Sequence, residues 1–150
     1  MPSLNDILLK DSSRGRLIGD GVVLIDQEVA EKKGLGGVAI KGGYAFVKTI
    51  KRDFVKDALE GLIDDFVAQL DPFFQEHGST KGFGEFMLNN KARVADGLLG
   101  VTDRRRDRTS HAALRKAYDK LRPAAKSNVE QAIPRLASMI QKHLDSHAAG

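Results

Sequence analysis

The residues most able to do chemistry in this sequence are arginines and lysines clustered in the second half of the chain. The 24 basic and 20 acidic residues give the whole chain a formal net charge of +4. Residues 1–75 carry ten basic and twelve acidic side chains, whereas residues 76–150 carry fourteen and eight. Within residues 103–126, nine basic side chains stand against three acidic ones. The nine are Arg104, Arg105, Arg106, Arg108, Arg115, Lys116, Lys120, Arg122 and Lys126.

Such a basic segment can bind a polyanion. Lysine and arginine displace counterions from a phosphate backbone, which gives affinity for nucleic acid without sequence preference, and an anionic membrane surface attracts them similarly. A solvated helix surface is the commoner origin of the pattern, because four of the basic residues fall opposite the apolar face of their predicted helix. These are Arg115, Lys116, Lys120 and Arg122. Tyr118 falls on that apolar face, so no aromatic ring lies among the outward cations to stack on bases. Solvated surface is therefore the main prediction, with polyanion binding as the alternative.

A row of carboxylates in the segment from Asp53 to Phe74 is the second charged feature. At 100° per residue, these carboxylates fall within roughly 60° of one another. They could meet the basic segment within one subunit or between two copies, and exposed pairs of this kind set partner choice more than affinity. We therefore predict a non-enzymatic interaction module that self-associates, with charged faces that select the partner. The row consists of Asp53, Asp57, Glu60, Asp64 and Asp71.

Patterns for metal, nucleotide and catalytic sites are weaker. His143 and His147 have a spacing that can chelate a metal, but Leu144 stands where the zinc-protease motif has glutamate. The run from Gly34 to Ala39 is similar to a dinucleotide-binding turn, yet it follows a predicted helix end rather than a strand. With no cysteine and no GxSxG elbow, no nucleophile is indicated. We predict no catalytic residue, no cofactor and no metal site.

Composition is typical of one soluble globular domain. The chain has 150 residues, of which 41% are hydrophobic and 29% charged. No apolar run approaches the roughly 20 residues that span a bilayer, so no transmembrane segment is predicted. The first residues lack the basic start and apolar core of a secretory signal. A cytoplasmic location is expected, and the absence of cysteine excludes a disulfide framework.

The element that must position these groups is the segment from Asp53 to Phe74, which has the strongest helical pattern in the chain. Its apolar residues share one arc, wide enough to predict burial against two or more neighbours. All seven phenylalanines and Tyr44 fall between residues 44 and 86. A hydrophobic core explains this concentration more often than a pocket for an apolar ligand, which we keep as a third functional hypothesis. Phe83 and Phe86, beside a glycine-rich loop, are predicted to be the most exposed.

Two helices are predicted at the start of the chain. Ser3 is expected to cap a short first helix, with Asp6 near its positive end. The second helix is expected to begin at residue 12 or 13 and to end at Lys33, with Gly34 as its C′ residue.

Residues 36–50 form the least certain element. Their four glycines each cost a helix roughly 1 kcal/mol relative to alanine, and their β-branched residues would suit a strand. Even so, six residues of this segment share one helical face: Gly36, Ile40, Gly43, Tyr44, Val47 and Ile50. We therefore predict a helix, in which Gly36 and Gly43 admit a neighbouring backbone.

A loop over residues 76–84 and a short turn follow the central helix. Asn89 or Asn90 is the predicted cap of the next helix, and Thr109 or Ser110 the cap of the one after it.

Two prolines fall in the last third of the chain. Pro123 is predicted to end one helix or open the next. Pro134 is predicted to kink the last helix without breaking it, because the apolar phase continues across it. Residues after about Asp145 are expected to fray. Altogether the sequence predicts an all-α fold: a compact bundle of about six or seven helices around residues 53–74, in a single domain over residues 1–150.

Several short motifs can be read together. They are Ser3-Leu4-Asn5-Asp6-Ile7-Leu8, Glu28-Val29-Ala30, Lys33-Gly34-Leu35, Lys116-Ala117-Tyr118 and Ile133-Pro134-Arg135-Leu136. In combination they resemble an uncharacterised bacterial family of small helical proteins, over most of the chain. The resemblance implies a helical fold and a bacterial, cytoplasmic setting. No activity is assigned to that family, so the resemblance implies no site residue.

Overall fold

The computed structural model describes residues 2–149, with every side chain in that range except those of residues 35 and 149. These residues form seven helices and no strand, so the predicted all-α class and number of helices are confirmed for them. The two ends of the predicted domain, residues 1 and 150, lie outside the described residues. The helices are α1 (Leu4–Leu8), α2 (Ser12–Glu31), α3 (Gly34–Ile50), α4 (Phe54–His77), α5 (Phe83–Asn89), α6 (Lys91–Arg108) and α7 (Ala112–Ala149).

Two long helices, α4 and α7, organise the bundle. Each of the other five helices packs against both of them. Within residues 2–149, no Cα atom of α4 lies within 8 Å of a Cα atom of α7. Their apolar side chains belong to one core all the same, which includes Val67 and Phe74 from α4 and Ile133 and Leu144 from α7. The predicted central helix is therefore present, and α7 shares its organising role.

The apolar stripe of α4 is buried as its helical spacing predicts. Fully burying one such side chain stabilises the fold by about 1.5–3 kcal/mol. The helix continues three residues beyond the predicted end and stops at Gly78, whose φ of 83° is left-handed and whose N–H donates to the Phe74 carbonyl at 2.9 Å. The buried residues of α4 are Leu59, Ile63, Val67, Leu70 and Phe74.

The predicted cap of α1 is confirmed. The Ser3 side chain accepts a hydrogen bond from the Asp6 N–H, and the Asp6 carboxylate accepts one from the Ser3 N–H. The Leu4 N–H donates to Asp71 Oδ1 of α4 at 2.8 Å. A carboxylate of the central helix thus holds the amino end of α1, while Leu4, Ile7 and Leu8 are buried in the core.

Residues 36–50 lie within α3, which confirms the predicted helix. The predicted role of Gly34 as the C′ residue of α2 is wrong, because α2 ends at Glu31 and Gly34 opens α3. The chain turns between the two helices, and at Gly37 a Cβ atom would lie 2.7 Å from the Lys32 backbone carbon. A Cβ atom at Gly36 would meet no atom within 4 Å, and one at Gly43 would meet the Leu121 side chain at 3.1 Å. The close approach to a backbone is therefore at Gly37, not at Gly36 or Gly43.

The predicted exposure of Phe83 and Phe86 is wrong. Phe83 is fully buried and Phe86 is half-buried. The Phe83 ring packs edge-on against Phe74, with 5.2 Å between centroids. At Gly84 a Cβ atom would lie 2.9 Å from the Ala137 carbonyl oxygen. Only glycine lets α5 lie this close to the α7 backbone, and that approach draws the neighbouring rings into the core.

The connection between α4 and α5 is shorter than predicted, at residues 78–82. Asn90 occupies the N-cap position of α6, in agreement with the prediction, although its side chain makes no capping hydrogen bond. Thr109 and Ser110 do not cap α7. His111 precedes that helix, and its carbonyl accepts from the Arg115 N–H at 3.1 Å.

Both prolines of the last third lie inside α7, which runs without interruption for 38 residues. Continuation through Pro134 agrees with the prediction, but the predicted helix boundary at Pro123 is wrong. Arg122 and Lys126, on either side of Pro123, are both ion-paired to carboxylates of α6, so α7 is attached to α6 before and after the proline. The α-helix extends to Ala149, and the fraying expected after Asp145 stays a prediction.

We expect Phe74→Ala to lower the free energy of unfolding by about 3–5 kcal/mol, because it removes a fully buried ring and leaves a cavity between α4 and α5. Denaturant unfolding followed by circular dichroism measures the change. The matched control is Phe46→Ala, since 42% of the Phe46 surface is exposed. Similar losses in the two variants would show that the core does not lie around Phe74.

Candidate functional site

The basic segment lies on α6 and on the first part of α7, which are joined by residues 109–111 and which we call the α6–α7 hairpin. Ion pairs connect the two helices. As the residue number on α7 rises from 119 to 126, the number of its partner on α6 falls from 106 to 96, as expected for antiparallel helices. Arg106, Arg122 and Lys126 are therefore neutralised inside the hairpin. The pairs are Arg106 with Asp119 at 2.7 Å, Arg122 with Asp103 at 2.9 Å and Lys126 with Asp96 at 3.3 Å.

Asp103 is the centre of this network. Arg122 donates to both of its carboxylate oxygens, at 2.9 and 3.1 Å, and the Tyr118 hydroxyl donates to Oδ1 at 2.5 Å. The hydrogen bond from Arg122, with a further one from Tyr118, holds the pKa of Asp103 below its ordinary value despite partial burial. Burial and the Asp103 hydrogen bond raise the pKa of Tyr118 to about 12. At neutral pH this is a carboxylate beside a protonated phenol, an arrangement that fastens helices and activates no nucleophile.

Five other basic residues of the segment are exposed, and we call them the hairpin cations. Among residues 2–149, no carboxylate oxygen lies within 4.0 Å of their charged nitrogens. Arg115 differs from them because it is half-buried, and its guanidinium donates to the Thr109 carbonyl at 2.6 Å, just after the negative end of α6. Among the exposed five, Arg108 Nε donates to the Arg104 carbonyl at 3.4 Å. The hairpin cations are Arg104, Arg105, Arg108, Lys116 and Lys120.

The acidic row of α4 is used mostly within the chain. Asp64 pairs with Arg14 at 3.3 Å, and Asp57 pairs with Lys51. Asp71 is half-buried and accepts the Leu4 N–H described above, so it is not part of an exposed face. Asp53, Glu60 and Asp64 are the exposed members, and of these Asp53 and Glu60 form no ion pair among residues 2–149.

Within residues 2–149 the acidic row and the basic segment do not pair with each other. The ion-pair partners of the acidic row come from α2 and from the connection before α4, at Arg14 and Lys51. Those of the basic segment are carboxylates of the hairpin itself. A contact between the two surfaces therefore needs a second copy of the chain.

The outward side of α3 is a surface that sequence reasoning missed. We call it the α3 outer face, formed by Val38, Gly42, Ala45, Phe46 and Thr49, all exposed. Val38 is 69% and Phe46 is 42% exposed, and Ile50 at the helix end is 37% exposed. Only Lys41 and Lys48 are charged in α3, and no residue in it is acidic. The sequence signal that could have revealed this surface is the small number of charges in α3. A helix that is apolar on every side is normally covered on every side, so an uncovered side of such a helix is available to a partner.

The inner side of α3 is held partly by polar contacts. The Tyr44 hydroxyl donates to the Asp26 carboxylate of α2, and burial together with this bond raises the pKa of Tyr44. Lys48 Nζ lies 3.7 Å from the same carboxylate and 4.4 Å from the centre of the Tyr44 ring. Among the described side chains of α3, only Gly37 is fully buried. The helix thus contributes little to the core and leaves an apolar surface outside it.

A polar groove of about 1080 Å³ separates α2 from α7 and reaches the amino end of α3. Arg135 crosses it, donating to Glu28 at 3.1 Å and to Glu31 at 2.5 Å. Lys32 donates to Gln131 at 2.9 Å and lies 3.5 Å from Glu28. Each charge in this network has a partner of opposite sign, so the network joins α2 to α7 across the groove.

Of the histidine pair at the end of α7, His143 contacts a carboxylate of α2. His143 Nε2 lies 2.7 Å from Asp20 Oδ2, and the His143 side chain is only 11% exposed. Across residues 2–149, no three histidine, aspartate or glutamate side chains lie close enough together to hold a metal ion. His143 instead joins α7 to α2.

The phenylalanine-rich centre is a packed aromatic cluster. Phe83 and Phe86 are stacked with centroids 6.2 Å apart, and the His77 ring lies 5.1 Å from that of Phe86. Phe74 and Phe83 have no exposed surface. The apolar-ligand hypothesis stays a prediction, since these rings are in contact with one another.

Comparison with protein families decides the identity at the level of the family. Residues 4–144 match the model of a family of unknown function, DUF6918. The chain belongs to this family. The DUF6918 match spans all of α1 to α6 and most of α7, which confirms the inferred membership of an uncharacterised family.

No curated protein and no solved structure matches the chain. Across residues 2–149, none of the helices combines the length and apolar character needed to cross a membrane.

We expect Asp103→Asn to lower the free energy of unfolding at neutral pH by about 1 kcal/mol, a modest figure because 41% of the Asp103 side chain is exposed and solvent screens the pair. Because folding lowers the pKa of Asp103, its contribution is complete above the ordinary value of about 3.9 and is lost as the pH falls through the folded value. The difference between wild type and variant should therefore shrink in acid.

Denaturant unfolding at a series of pH values measures this difference. Asp107→Asn is the matched control, because the Asp107 side chain is 73% exposed. An Asp103→Asn variant as stable as Asp107→Asn at neutral pH would contradict a stabilising role for the network.

Proposed function

We propose that this member of the DUF6918 family is a non-enzymatic interaction module that self-associates through the α3 outer face. The observation that carries the proposal is the exposure of Val38, at 69%, and of Phe46, at 42%, on a helix without acidic side chains. Removing apolar surface from water stabilises an interface by roughly 25 cal/mol per Å². Exposed clusters of large apolar side chains are typical of protein-binding surfaces.

The large exposed side chains support α3 as the site of contact. Among the described side chains, five large apolar ones are exposed. Val38, Phe46 and Ile50 all belong to α3, whereas Val23 and Leu88 stand singly on α2 and α5. Single exposed residues are ordinary on protein surfaces, whereas α3 carries three of the five on one helix.

A second copy of the same helix fits this surface. Val38 and Phe46 lie at equal distances along the sequence on either side of Gly42. Two α3 helices crossing antiparallel at Gly42 would place Val38 of one copy against Phe46 of the other, twice, as a two-fold interface requires. The absence of a side chain at Gly42 permits close approach of the backbones at the crossing.

Charge is compatible with this pairing. In the antiparallel arrangement Lys41 and Lys48 fall opposite glycines 43 and 36 of the second copy, so like charges are kept apart. Lys48 already lies near Asp26 of its own chain. The exposed carboxylates Asp53 and Glu60 and the hairpin cations carry opposite charge, and between copies they would set orientation more than affinity.

We expect the wild-type protein to show a rising average mass with concentration, toward twice 16.4 kDa, and the double variant Val38→Glu/Phe46→Glu to stay at 16.4 kDa. Burying a carboxylate in the crossing without a partner opposes association. Sedimentation velocity and light scattering over a wide concentration range provide the measurement.

The matched control is Leu88→Glu, because Leu88 is 38% exposed and lies on α5, away from α3. Circular dichroism establishes that all variants are folded. A wild-type protein that is monomeric at the highest concentration contradicts the proposal, and equal loss of association in the Leu88→Glu control contradicts the assignment to α3.

A further inference from the structure

We infer that the hairpin cations form a binding surface for the phosphate backbone of duplex nucleic acid, separate from the α3 outer face. The sequence presents nine basic residues as one group, but the structure divides them. Arg106, Arg122 and Lys126 are neutralised by carboxylates within the hairpin, and Arg115 is bound to the Thr109 carbonyl. The five hairpin cations keep their charge available to a partner.

Helical spacing gathers the hairpin cations near the turn of the hairpin. Arg104 and Arg108 are one turn apart on α6, as are Arg105 and Arg108. Lys116 and Lys120 are one turn apart on α7 and fall opposite the half-buried Leu114 and Tyr118. Both groups lie within about 12 residues of the turn, so positive charge is concentrated at this end of the hairpin.

The ion pairs also hold this surface in place. Arg106 with Asp119 and Arg122 with Asp103 join the two helices beside the hairpin cations. The backbone that carries the free charges is therefore ordered before any partner arrives, which lowers the entropic cost of binding.

The chemistry of the surface favours duplex nucleic acid over a membrane. Lipid-binding helices insert large apolar side chains beside their cations. Among the described residues, all five exposed large apolar side chains lie on α2, α3 and α5, and none lies on the hairpin. Cations without apolar neighbours match a partner that is charged throughout, such as a phosphate backbone.

The same surface favours a duplex over a single strand. Proteins that bind single strands stack unpaired bases on aromatic rings. The one tyrosine, phenylalanine or tryptophan of the basic segment, Tyr118, is half-buried and hydrogen-bonded to Asp103. The hairpin therefore offers contacts to phosphates and none to bases, so binding is independent of sequence and strongly dependent on salt.

Fluorescence anisotropy with a labelled mixed-sequence DNA duplex, over a series of salt concentrations, tests the inference on the full-length chain. Five phosphate contacts predict that log Kobs falls with log salt with a slope of about −4.5. The triple variant Arg104→Gln/Lys116→Gln/Lys120→Gln should make the slope shallower by about 2.7. The charge-matched control Lys10→Gln/Lys81→Gln/Lys91→Gln removes three exposed lysines elsewhere and should leave the slope unchanged.

Each other outcome overturns the inference. No duplex binding at low salt, or an equal effect of the control variant, contradicts a surface made by the hairpin cations. A single strand of the same length that binds as tightly as the duplex contradicts the choice of duplex. Sedimentation with anionic lipid vesicles, without binding to DNA, assigns the surface to a membrane instead.

Discussion

The bundle depends on the burial of apolar side chains between two long helices, α4 and α7, whose backbones are not in contact. Phe74 and Val67 of α4 and Ile133, Ile140 and Leu144 of α7 belong to the same core, and the five other helices close the space around them. None of those five could bury its apolar side without α4 and α7. The short α1 shows this dependence, since its amino end is held by the Asp71 carboxylate of α4.

Charge has two different uses on this surface. Pairs such as Arg122 with Asp103 fix the angle between neighbouring helices, and the Arg135 network does the same for α2 and α7. Side chains outside these networks are left for contacts with other molecules. The distinction depends on which carboxylate a cation meets in three dimensions, and not on how many cations stand together in the sequence.

Sequence periodicity correctly predicted the features that depend on residues close together in the chain. The phase of α4, the Ser3 and Asp6 cap and the continuation of α7 through Pro134 all depend on residues a few positions apart. The errors arose where distant residues decide. Phe83 is buried because Gly84 meets Ala137 of α7, more than fifty residues later. The α3 outer face was missed because periodicity places its residues on one side of a helix without showing that no other helix covers that side.

The two prolines inside α7 have a consequence for its shape. They are eleven residues apart, close to three full turns, so both lie on the same side of the helix, and both are exposed. A proline has no N–H to donate, so the carbonyls four residues earlier, at Asp119 and Glu130, lack their helical partner and are free for water. The helix can therefore bow outward at both points without giving up a hydrogen bond, which lets a rod about 57 Å long follow the curved outline of a small domain.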